Sequence, residues 1–225
     1  MNLVLDSYKK NNIEILKNID ITFNNNVSLI GTSSSGKTTL LKVLEEKYNI
    51  PRVFKNSMFF HNSIEDEIKY LLLDTKQKKL VQDLLPNVNL MNNPNTLKNK
   101  EKIKLAILKG ILFSKEYVSF DNILVYLDKK EKEYIIKYLK DNNIKFIIVS
   151  NDLSDLFYTD ETYILNDGEI IAHGASNKIL LEEKLLKRLG FTLPFMVDLS
   201  LQLKDYNLIK DIYLDKEMLV DKLWK

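Results

Sequence analysis

The chain has 225 residues, which leaves room for one compact domain with an appendage or for two small domains. It has no cysteine, which excludes disulfide scaffolds, thiolate zinc sites, iron–sulfur clusters and cysteine nucleophiles. Apolar residues make up 45% of the chain and charged residues 28%, an ordinary globular composition that argues against disorder. The 33 basic and 31 acidic residues leave a net charge of +2, too small to indicate nucleic-acid binding by itself, and two histidines offer little for an imidazole-rich metal site.

No leader or membrane-spanning segment is expected. No stretch approaches the roughly 18 consecutive apolar residues of a membrane-spanning helix. The N-terminal residues include Asp6 and lack an apolar core of signal-peptide length. We therefore expect a cytoplasmic protein that reaches the inner face of the cell membrane only through partners.

The first half of the chain predicts β structure followed by helices. Residues 1–30 alternate apolar and polar positions and end in the apolar run VSLI, which is typical of strands. Helical spacing begins after Gly36 and dominates residues 62–112. Within that region Ser63 is a suitable N-cap, and the polar segment 92–95 predicts a break.

The second half alternates strands and helices. Segments 117–120 and 145–150 are short apolar strand candidates, and residues 129–142 between them have the pattern of an amphipathic helix. Residues 162–174 predict a hairpin with an Asn-Asp-Gly turn. Strands separated by helices indicate a parallel α/β sheet.

Beyond residue 176 the chain is expected to be mostly helical. Residues 179–189 predict one helix that ends at Gly190, whereas residues 197–204 are ambiguous between a helix and an alternating strand. No internal repeat or low-complexity linker interrupts the sequence.

Residues 31–39 contain a phosphate-binding loop motif. The run GTSSSGKTT fits the pattern G-x-x-x-x-G-K-[ST] and lies between a predicted strand and a predicted helix. Glycines let successive backbone N–H groups point at phosphate oxygens, the lysine reaches the β- and γ-phosphates, and the threonine hydroxyl holds Mg²⁺. The expected nucleotide-binding residues of this loop are Gly31, Ser34, Ser35, Gly36, Lys37, Thr38 and Thr39.

A nucleotide site of this kind needs an acid on a neighbouring strand. The segment YVSFD, residues 117–121, supplies Asp121, which together with Thr38 is expected to hold the Mg²⁺ ion and so to serve nucleotide binding. The alternative is that Asp121 is a solvated acid at a strand end, and the spacing alone does not decide between the two.

The order of these motifs resembles the nucleotide-binding subunits of ATP-binding cassette (ABC) transporters over residues 1–176. Tyr8 lies where that family places an aromatic residue that stacks on adenine. The other matching segments are 53–68 at the Q-loop, 96–128 at the signature helix, second nucleotide motif and D-loop, 147–152 at the switch, and 164–174 at the hairpin that follows.

The resemblance implies an α/β fold of the P-loop NTPase type. Its core is a RecA-like parallel sheet with an antiparallel N-terminal β part, here residues 1–54 and 116–176. A small helical subdomain is expected at 55–115, and a helical C-terminal extension, a possible dimerisation element, at 177–225.

The tail narrows the resemblance. Residues 193–204, LPFMVDLSLQLK, are similar to the C-terminal extension of the ATPases of energy-coupling factor transporters, which import vitamins and metal ions. In that family the extension helps two ATPase subunits to pair. The alternative is an ordinary helical cap over an apolar face.

Three positions depart from the family in their chemistry. Asn122 stands where the family has the glutamate that orients or deprotonates the attacking water, and general-base help is typically worth about 10²–10⁴-fold. Asn151 replaces the switch histidine. Lys55 replaces the Q-loop glutamine and brings a cation towards the expected Mg²⁺ site.

The signature sequence is also altered. The family's Leu-Ser-Gly-Gly-Gln contacts the γ-phosphate of ATP on the opposite subunit, and residues 97–101 read LKNKE here. Lysines can offer ammonium groups as point charges instead, so Lys98, Asn99, Lys100 and the D-loop Asp128 are the expected cross-dimer residues. The alternative is that this run is a solvated helix start.

These departures spare the residues expected to hold ATP and Mg²⁺ and affect those expected to hydrolyse ATP. The resemblance therefore implies an ATP-binding subunit of a membrane importer, part of an ABC-type ATPase complex, with weak or no hydrolysis at its own site. Its implied partners are an integral membrane subunit and a second ABC ATPase subunit. A heterodimer is favoured, because a homodimer would contain two altered sites.

Other functions are also considered. The main alternative is a non-hydrolytic regulatory or structural ABC protein. A soluble phosphotransferase is disfavoured because only Arg52 and Arg188 are available for its arginine lid. A DNA-repair or translation ABC protein normally carries insertions or a second such domain, and no nucleic-acid partner is expected.

In transport ATPases a groove beside the Q-loop receives a coupling helix of the membrane protein. Met58, Phe59 and Phe60 are candidates to line such a groove, and packing into the subdomain core is the alternative. The transported substrate cannot be read from an ATPase subunit, because selectivity resides in its partners.

Overall fold

Eight strands form two sheets in the computed structural model, which describes residues 1–213 and 216–223. The strands are β1 (Asn2–Lys10), β2 (Ile13–Thr22), β3 (Val27–Gly31), β4 (Arg52–Phe54), β5 (Tyr117–Asp121), β6 (Lys145–Val149), β7 (Glu161–Asn166) and β8 (Glu169–Ala175). The first sheet is the antiparallel pair β1–β2. The second has six strands in the order β4-β5-β6-β3-β7-β8, all parallel except β8, which joins β7 antiparallel.

Helices fill the connections between the strands and the tail. The helices of the described residues are α1 (Lys37–Tyr48), α2 (Ile64–Glu67), α3 (Thr75–Leu84), α4 (Asn99–Leu112), α5 (Lys129–Asp141), α6 (Ser176–Ile179), α7 (Glu183–Arg188), α8 (Phe195–Asp205) and α9 (Lys216–Leu223). Short 3₁₀ turns lie at 70–72, 94–96, 124–126 and 153–158.

The six-stranded sheet is covered on both faces. Every residue of β3 is buried, the continuous apolar pattern of a parallel sheet covered on both sides. Phe120 and Phe146 pack with helices α3, α4 and α5 on one face. On the other face Leu29 of β3 packs with Leu40 of α1 and with the β1–β2 pair. A third core around Leu186 attaches the tail. The predicted P-loop NTPase fold with an antiparallel N-terminal part is confirmed.

Parallel pairing brings three strand ends to one edge of the sheet. Strand β3 ends at Gly31, β5 at Asp121 and β6 at Val149, and the pairs β3–β6 and β5–β6 are both parallel. The loop after β3, the acid of β5 and the segment after β6 therefore meet at that edge, where α/β sheets commonly bind ligands.

The helical stretch predicted over 62–112 is present but interrupted. Ser63 caps α2 by accepting a hydrogen bond from a backbone N–H in its first turn. Asp74 and Gln77 form a reciprocal capping box at the start of α3. The predicted break lies at the 3₁₀ turn before α4.

The structure of the tail shows that one prediction is wrong. One helix is expected over residues 179–189, but the structure has two helices, α6 and α7, separated by a turn at 180–182. Leu180 and Leu186 are both buried in the third core. Because six residues of a straight helix separate two side chains by about 120°, the turn is what lets both face this core. Residues 197–204, ambiguous in sequence, lie within helix α8.

The predicted division of the chain stays a prediction. Helices α2, α3 and α4 fall inside the proposed helical subdomain, 55–115, and α7, α8 and α9 inside the proposed extension, 177–225. Residues 214–215 and 224–225 of that extension lie outside the described residues. Among the helices of the described residues, none combines the length and apolarity needed to cross a membrane.

Gly110→Ala is expected to destabilise the fold by about 1–3 kcal/mol through overpacking. Gly110 is buried in α4, where a Cβ atom would lie 2.1 Å from Val53 Cγ2 on β4. In a helix interior alanine is normally about 1 kcal/mol more stable than glycine. A net loss of stability would therefore identify the close helix–strand approach as the cause. Urea unfolding measures the effect against Gly174→Ala, where the nearest heavy atom is 3.7 Å away. A stabilised Gly110→Ala would contradict the packing argument.

Candidate nucleotide-binding site

The loop between β3 and α1 has a backbone that only glycine permits at two positions. At Gly31 a Cβ atom would lie 2.0 Å from the carbonyl oxygen of Leu165. Gly36 has a φ of +100°, and a Cβ there would lie 2.7 Å from Leu16 Cδ2. Ser34, between the two glycines, is left-handed with a φ of 63°. The curled loop and the start of α1 together offer backbone N–H groups to an anion.

Lys37 is folded back over this loop. Its Nζ donates hydrogen bonds to the carbonyl oxygens of Gly31 and Thr32 at 2.9 and 2.7 Å, and to Ser35 Oγ at 3.1 Å. Burial lowers the pKa of the Lys37 ammonium, and the charge of Asp121 partly offsets that effect. The ammonium is therefore fixed where the motif requires a phosphate-binding cation.

Thr38 and Asp121 contact each other at the mouth of the loop. The Thr38 hydroxyl donates to Asp121 Oδ1 at 3.1 Å. A hydroxyl and a carboxylate are hard oxygen donors, and Mg²⁺ keeps several waters and needs few protein ligands, so these two residues fit that ion. Residues 1–213 and 216–223 contain no cluster of three or more His, Asp or Glu suited to a metal.

Arg52 is a site residue that the sequence analysis missed. Its Nη1 donates to Asp121 Oδ2 at 3.0 Å, and its Nε donates to Glu45 Oε2 at 3.0 Å. Only two of the 33 basic residues are arginine, but this scarcity does not single out a site residue, because Arg188 is exposed on the tail. The planar guanidinium of Arg52 can pair with two carboxylates at once.

The residues at the catalytic-glutamate and Q-loop positions lie near this edge. Asn122 directly follows Asp121, has a φ of 51° and donates its backbone N–H to the Val149 carbonyl at 3.0 Å. Asparagine tolerates this left-handed conformation better than most residues do. Lys55 Nζ lies 4.7 Å from the ring centroid of Tyr126. The cation at the Q-loop position therefore contacts an aromatic ring two residues before the D-loop Asp128.

Asn151, at the switch position, lines an open cleft of about 600 Å³. The cleft is bounded by residues 31–33 of the phosphate loop, by 151–154 and by 189–195 of the tail. Asn151 is exposed. The start of the C-terminal extension therefore lies against both loops that are expected to face the γ-phosphate.

The altered signature is tied to the D-loop of the same chain. Lys98 precedes α4 and is exposed, and Asn99 begins the helix. Lys100 Nζ lies 2.9 Å from Glu131 Oε2 and 3.5 Å from Asp128 Oδ2, contacts that raise the pKa of Lys100. Two of the predicted cross-dimer residues, Lys100 and Asp128, thus contact each other within one chain. Their cross-dimer role stays a prediction.

Tyr8 lies on the antiparallel pair that flanks the loop. It pairs with Leu16 across β1 and β2 and packs partly buried against the second core. Leu16 in turn closely approaches Gly36. The stacking of Tyr8 on adenine stays a prediction.

A second cleft, of about 500 Å³, lies beside the Q-loop and is mostly apolar. Met58 and Phe60 line it and are 72% and 78% exposed, whereas Phe59 packs against the helical core. Glu67, buried below them, accepts the backbone N–H groups of Phe60 and His61 at 2.8 Å each. The carboxylate thereby fixes the loop that presents the two exposed side chains.

Glu67→Gln is expected to destabilise the fold and to flatten its acid dependence. Burial alone would raise the pKa of Glu67, but the ion pair with Lys109 and the hydrogen bonds from Phe60 and His61 lower it to about 2 from 4.5. The carboxylate therefore stabilises the fold fully above pH 4.5, and this contribution is lost as the pH falls towards 2. A shift of this size corresponds to roughly 3 kcal/mol.

Urea unfolding at neutral pH and at pH values below the unfolded-state pKa measures this contribution. Glu65→Gln, on the same short helix, is the matched control. Glu131 also has a pKa of about 2 and contributes acid sensitivity to both variants, so the difference between them isolates Glu67. A Glu67→Gln variant as stable as the control at neutral pH would show that the buried carboxylate does not hold this loop.

Comparison with models of known protein families gave no match. Among curated proteins, the energy-coupling factor transporter ATP-binding protein EcfA1 of Mesomycoplasma hyopneumoniae (strain J) is 25% identical over 252 aligned positions, covering 94% of this chain and 91% of the relative. EcfA1 of Ureaplasma parvum serovar 3 is 27% identical over 252 positions, covering 94% and 86%. EcfA of Malacoplasma penetrans is 25% identical over 254 positions, covering 96% and 88%.

One solved structure also shares the fold. A bacterial Atm1-family ABC exporter with ATP bound superposes with a TM-score of 0.72 at 16% sequence identity, covering 84% of this chain and 40% of the exporter chain. The sequence relatives align with almost the whole chain and so include both the motifs of residues 1–176 and most of the tail. The resemblance inferred from the motifs and the tail is therefore confirmed.

Proposed function

We propose that this chain, a relative of the ATP-binding proteins of energy-coupling factor transporters, is the ATP-binding subunit of an ABC-type membrane importer. The observation that carries the proposal is the geometry of the phosphate loop at one sheet edge. There Thr38 donates a hydrogen bond to Asp121, and the charge of Asp121 acts on Lys37. Curated relatives that align over nine-tenths or more of the chain support it. In such a subunit, nucleotide binding moves the membrane partners.

ATP would bind with its phosphates in the loop and its adenine towards Tyr8. Lys37 would compensate the charge of the β- and γ-phosphates, with the backbone N–H groups of the loop around them. Mg²⁺, held by Thr38 and Asp121, would supply charge neutralisation between the same phosphates.

Hydrolysis at this site is proposed to be weak. Asn122 cannot accept a proton from water, so the general-base contribution of about 10²–10⁴-fold is missing. Asn151 can donate a hydrogen bond to a γ-phosphate but cannot carry charge. Both amides can position groups, which is compatible with nucleotide-dependent closing without fast turnover.

The second ATPase subunit is proposed to be a different chain. ABC subunits pair head to tail, so each nucleotide lies between one phosphate loop and the partner's signature. Here Lys100 is engaged by Glu131 and Asp128 of its own chain, which leaves fewer groups to meet the partner's ATP. A partner with an intact signature would supply that signature to the ATP bound at this chain's phosphate loop. The same partner's glutamate would serve hydrolysis at the second site, which lies at the partner's own phosphate loop.

The membrane partner is proposed to dock in the cleft beside the Q-loop, and through it the chain would lie at the cytoplasmic face of the membrane. The cleft is apolar and presents Met58 and Phe60 to solvent. Burying two such side chains against a helix would contribute about 1.5–3 kcal/mol each.

Met58→Asp combined with Phe60→Asp is expected to abolish co-purification with an integral membrane protein from detergent-solubilised membranes. Charged carboxylates in an apolar interface lose their hydration without a partner. Ile13→Asp, at an exposed apolar position of β2, is the matched control. If the wild-type chain co-purifies only with soluble proteins, the importer proposal fails.

A second candidate is a non-hydrolytic regulatory or structural ABC protein. The paired substitutions Asn122 and Asn151 favour it, because both catalytic positions have lost titratable groups. Such a protein would bind ATP as the importer subunit does but would need no membrane partner. The same co-purification experiment therefore separates the two candidates.

A further inference from the structure

The Asp121 carboxylate, which is expected to hold Mg²⁺, forms an ion pair with Arg52 of the same chain. Arg52 Nη1 donates to Asp121 Oδ2 at 3.0 Å, and the two side chains are only 10% and 9% exposed. Thr38 donates to the other oxygen, Oδ1, at 3.1 Å. Both oxygens of Asp121 are thus engaged by side chains of the same chain.

The guanidinium of Arg52 is fixed from several sides. Its Nε donates to Glu45 Oε2 on α1, and its central carbon lies 4.3 Å from the centroid of the Phe54 ring. Strand β4 carries it beside β5, with Arg52 paired to Ser119. Because a largely buried ion pair is costly to break by removing one partner, Arg52 does not readily leave Asp121.

A fixed cation at this place changes what Mg²⁺ can contribute. A carboxylate whose charge is compensated attracts a divalent cation less, and the guanidinium itself repels that cation. We propose that the pairing of Arg52 with Asp121 weakens the hold of this carboxylate on Mg²⁺, so that this site binds ATP with little dependence on Mg²⁺. The inference rests on the proposed ATP-binding function.

The test compares the affinity of the whole chain for fluorescent mant-ATP in millimolar Mg²⁺ and in EDTA. The wild-type dissociation constant is expected to change by less than about fivefold, and that of Arg52→Met by about tenfold or more. Arg52→Lys keeps the charge but not the planar fork that pairs with both carboxylates, so its change in dissociation constant between Mg²⁺ and EDTA is expected to fall between those of the wild type and Arg52→Met. Arg188→Met, at the other arginine, which is exposed on the tail, is the matched control.

A second readout counts the metal directly. Mn²⁺, as a spin-active substitute for Mg²⁺, is titrated into the chain with ATP bound, and electron paramagnetic resonance reports the bound fraction. Wild type is expected to bind Mn²⁺ about tenfold more weakly than Arg52→Met does. If Arg52→Met does not fold, the ratio of the wild-type dissociation constants for mant-ATP in EDTA and in Mg²⁺ decides alone.

The outcomes separate the inference from the function on which it rests. A wild-type chain that loses fivefold or more of its mant-ATP affinity in EDTA overturns the inference and leaves ATP binding standing. A chain that binds no mant-ATP in either buffer overturns both.

Discussion

Asn122→Glu is expected to raise ATP hydrolysis by about 10²–10⁴-fold, the usual contribution of a general base. Asn122 follows Asp121 at the sheet edge and is exposed, so a carboxylate there has room to reach a water beside the γ-phosphate. Phosphate release from γ-labelled ATP measures the rate. The purified chain is tested first, and then the chain together with its ATPase partner.

The matched control is Asn122→Gln, which has the length of glutamate without its basicity. Position 122 has a φ of 51°, where a residue other than Gly or Asn costs about 1 kcal/mol or more, and both variants carry this strain. If the two variants bind ATP equally and release phosphate equally slowly, the missing base is not what limits hydrolysis. The altered signature would then be the remaining explanation.

Lys37→Ala is expected to weaken ATP binding by about 10²–10⁴-fold, because it removes two charge-assisted hydrogen bonds worth about 1.5–3 kcal/mol each. Its Nζ contacts two carbonyl oxygens and one hydroxyl of the phosphate loop. Equilibrium titration with mant-ATP measures the loss.

Lys47→Ala is the control for this change, since Lys47 is exposed near the other end of the same helix. Removing it alters the net charge by the same amount without touching the loop. If both variants bind ATP as the wild type does, the loop is not the nucleotide site.

The fold was predictable where local signals agreed with the tertiary structure. The glycines of the phosphate loop and the turn at Asp167 and Gly168 fixed β3, α1 and the hairpin, because these backbone conformations suit few residues. The tail was less predictable. Its apolar spacing suits one helix, and only the third core explains why the chain turns between Leu180 and Leu186.

The candidate site was predictable through its motifs and not through its long-range contacts. Lys37, Thr38 and Asp121 carry a spacing that chemistry requires, and the structure brings them together. Arg52 was missed because its partners are Glu45 on α1 and Asp121 on β5, and only strand pairing reveals that arrangement. The intrachain contacts of the altered signature were likewise invisible in the sequence.

The most direct test of the account uses the purified chain with Mg²⁺ and γ-labelled ATP, counting bound nucleotide and released phosphate in the same sample beside Lys37→Ala. The account predicts near-stoichiometric retention of intact ATP by the wild-type chain, with phosphate release no faster than that of the variant. Steady phosphate release above the Lys37→Ala background would contradict the separation of binding from hydrolysis. Failure to retain nucleotide would contradict the assignment of the site.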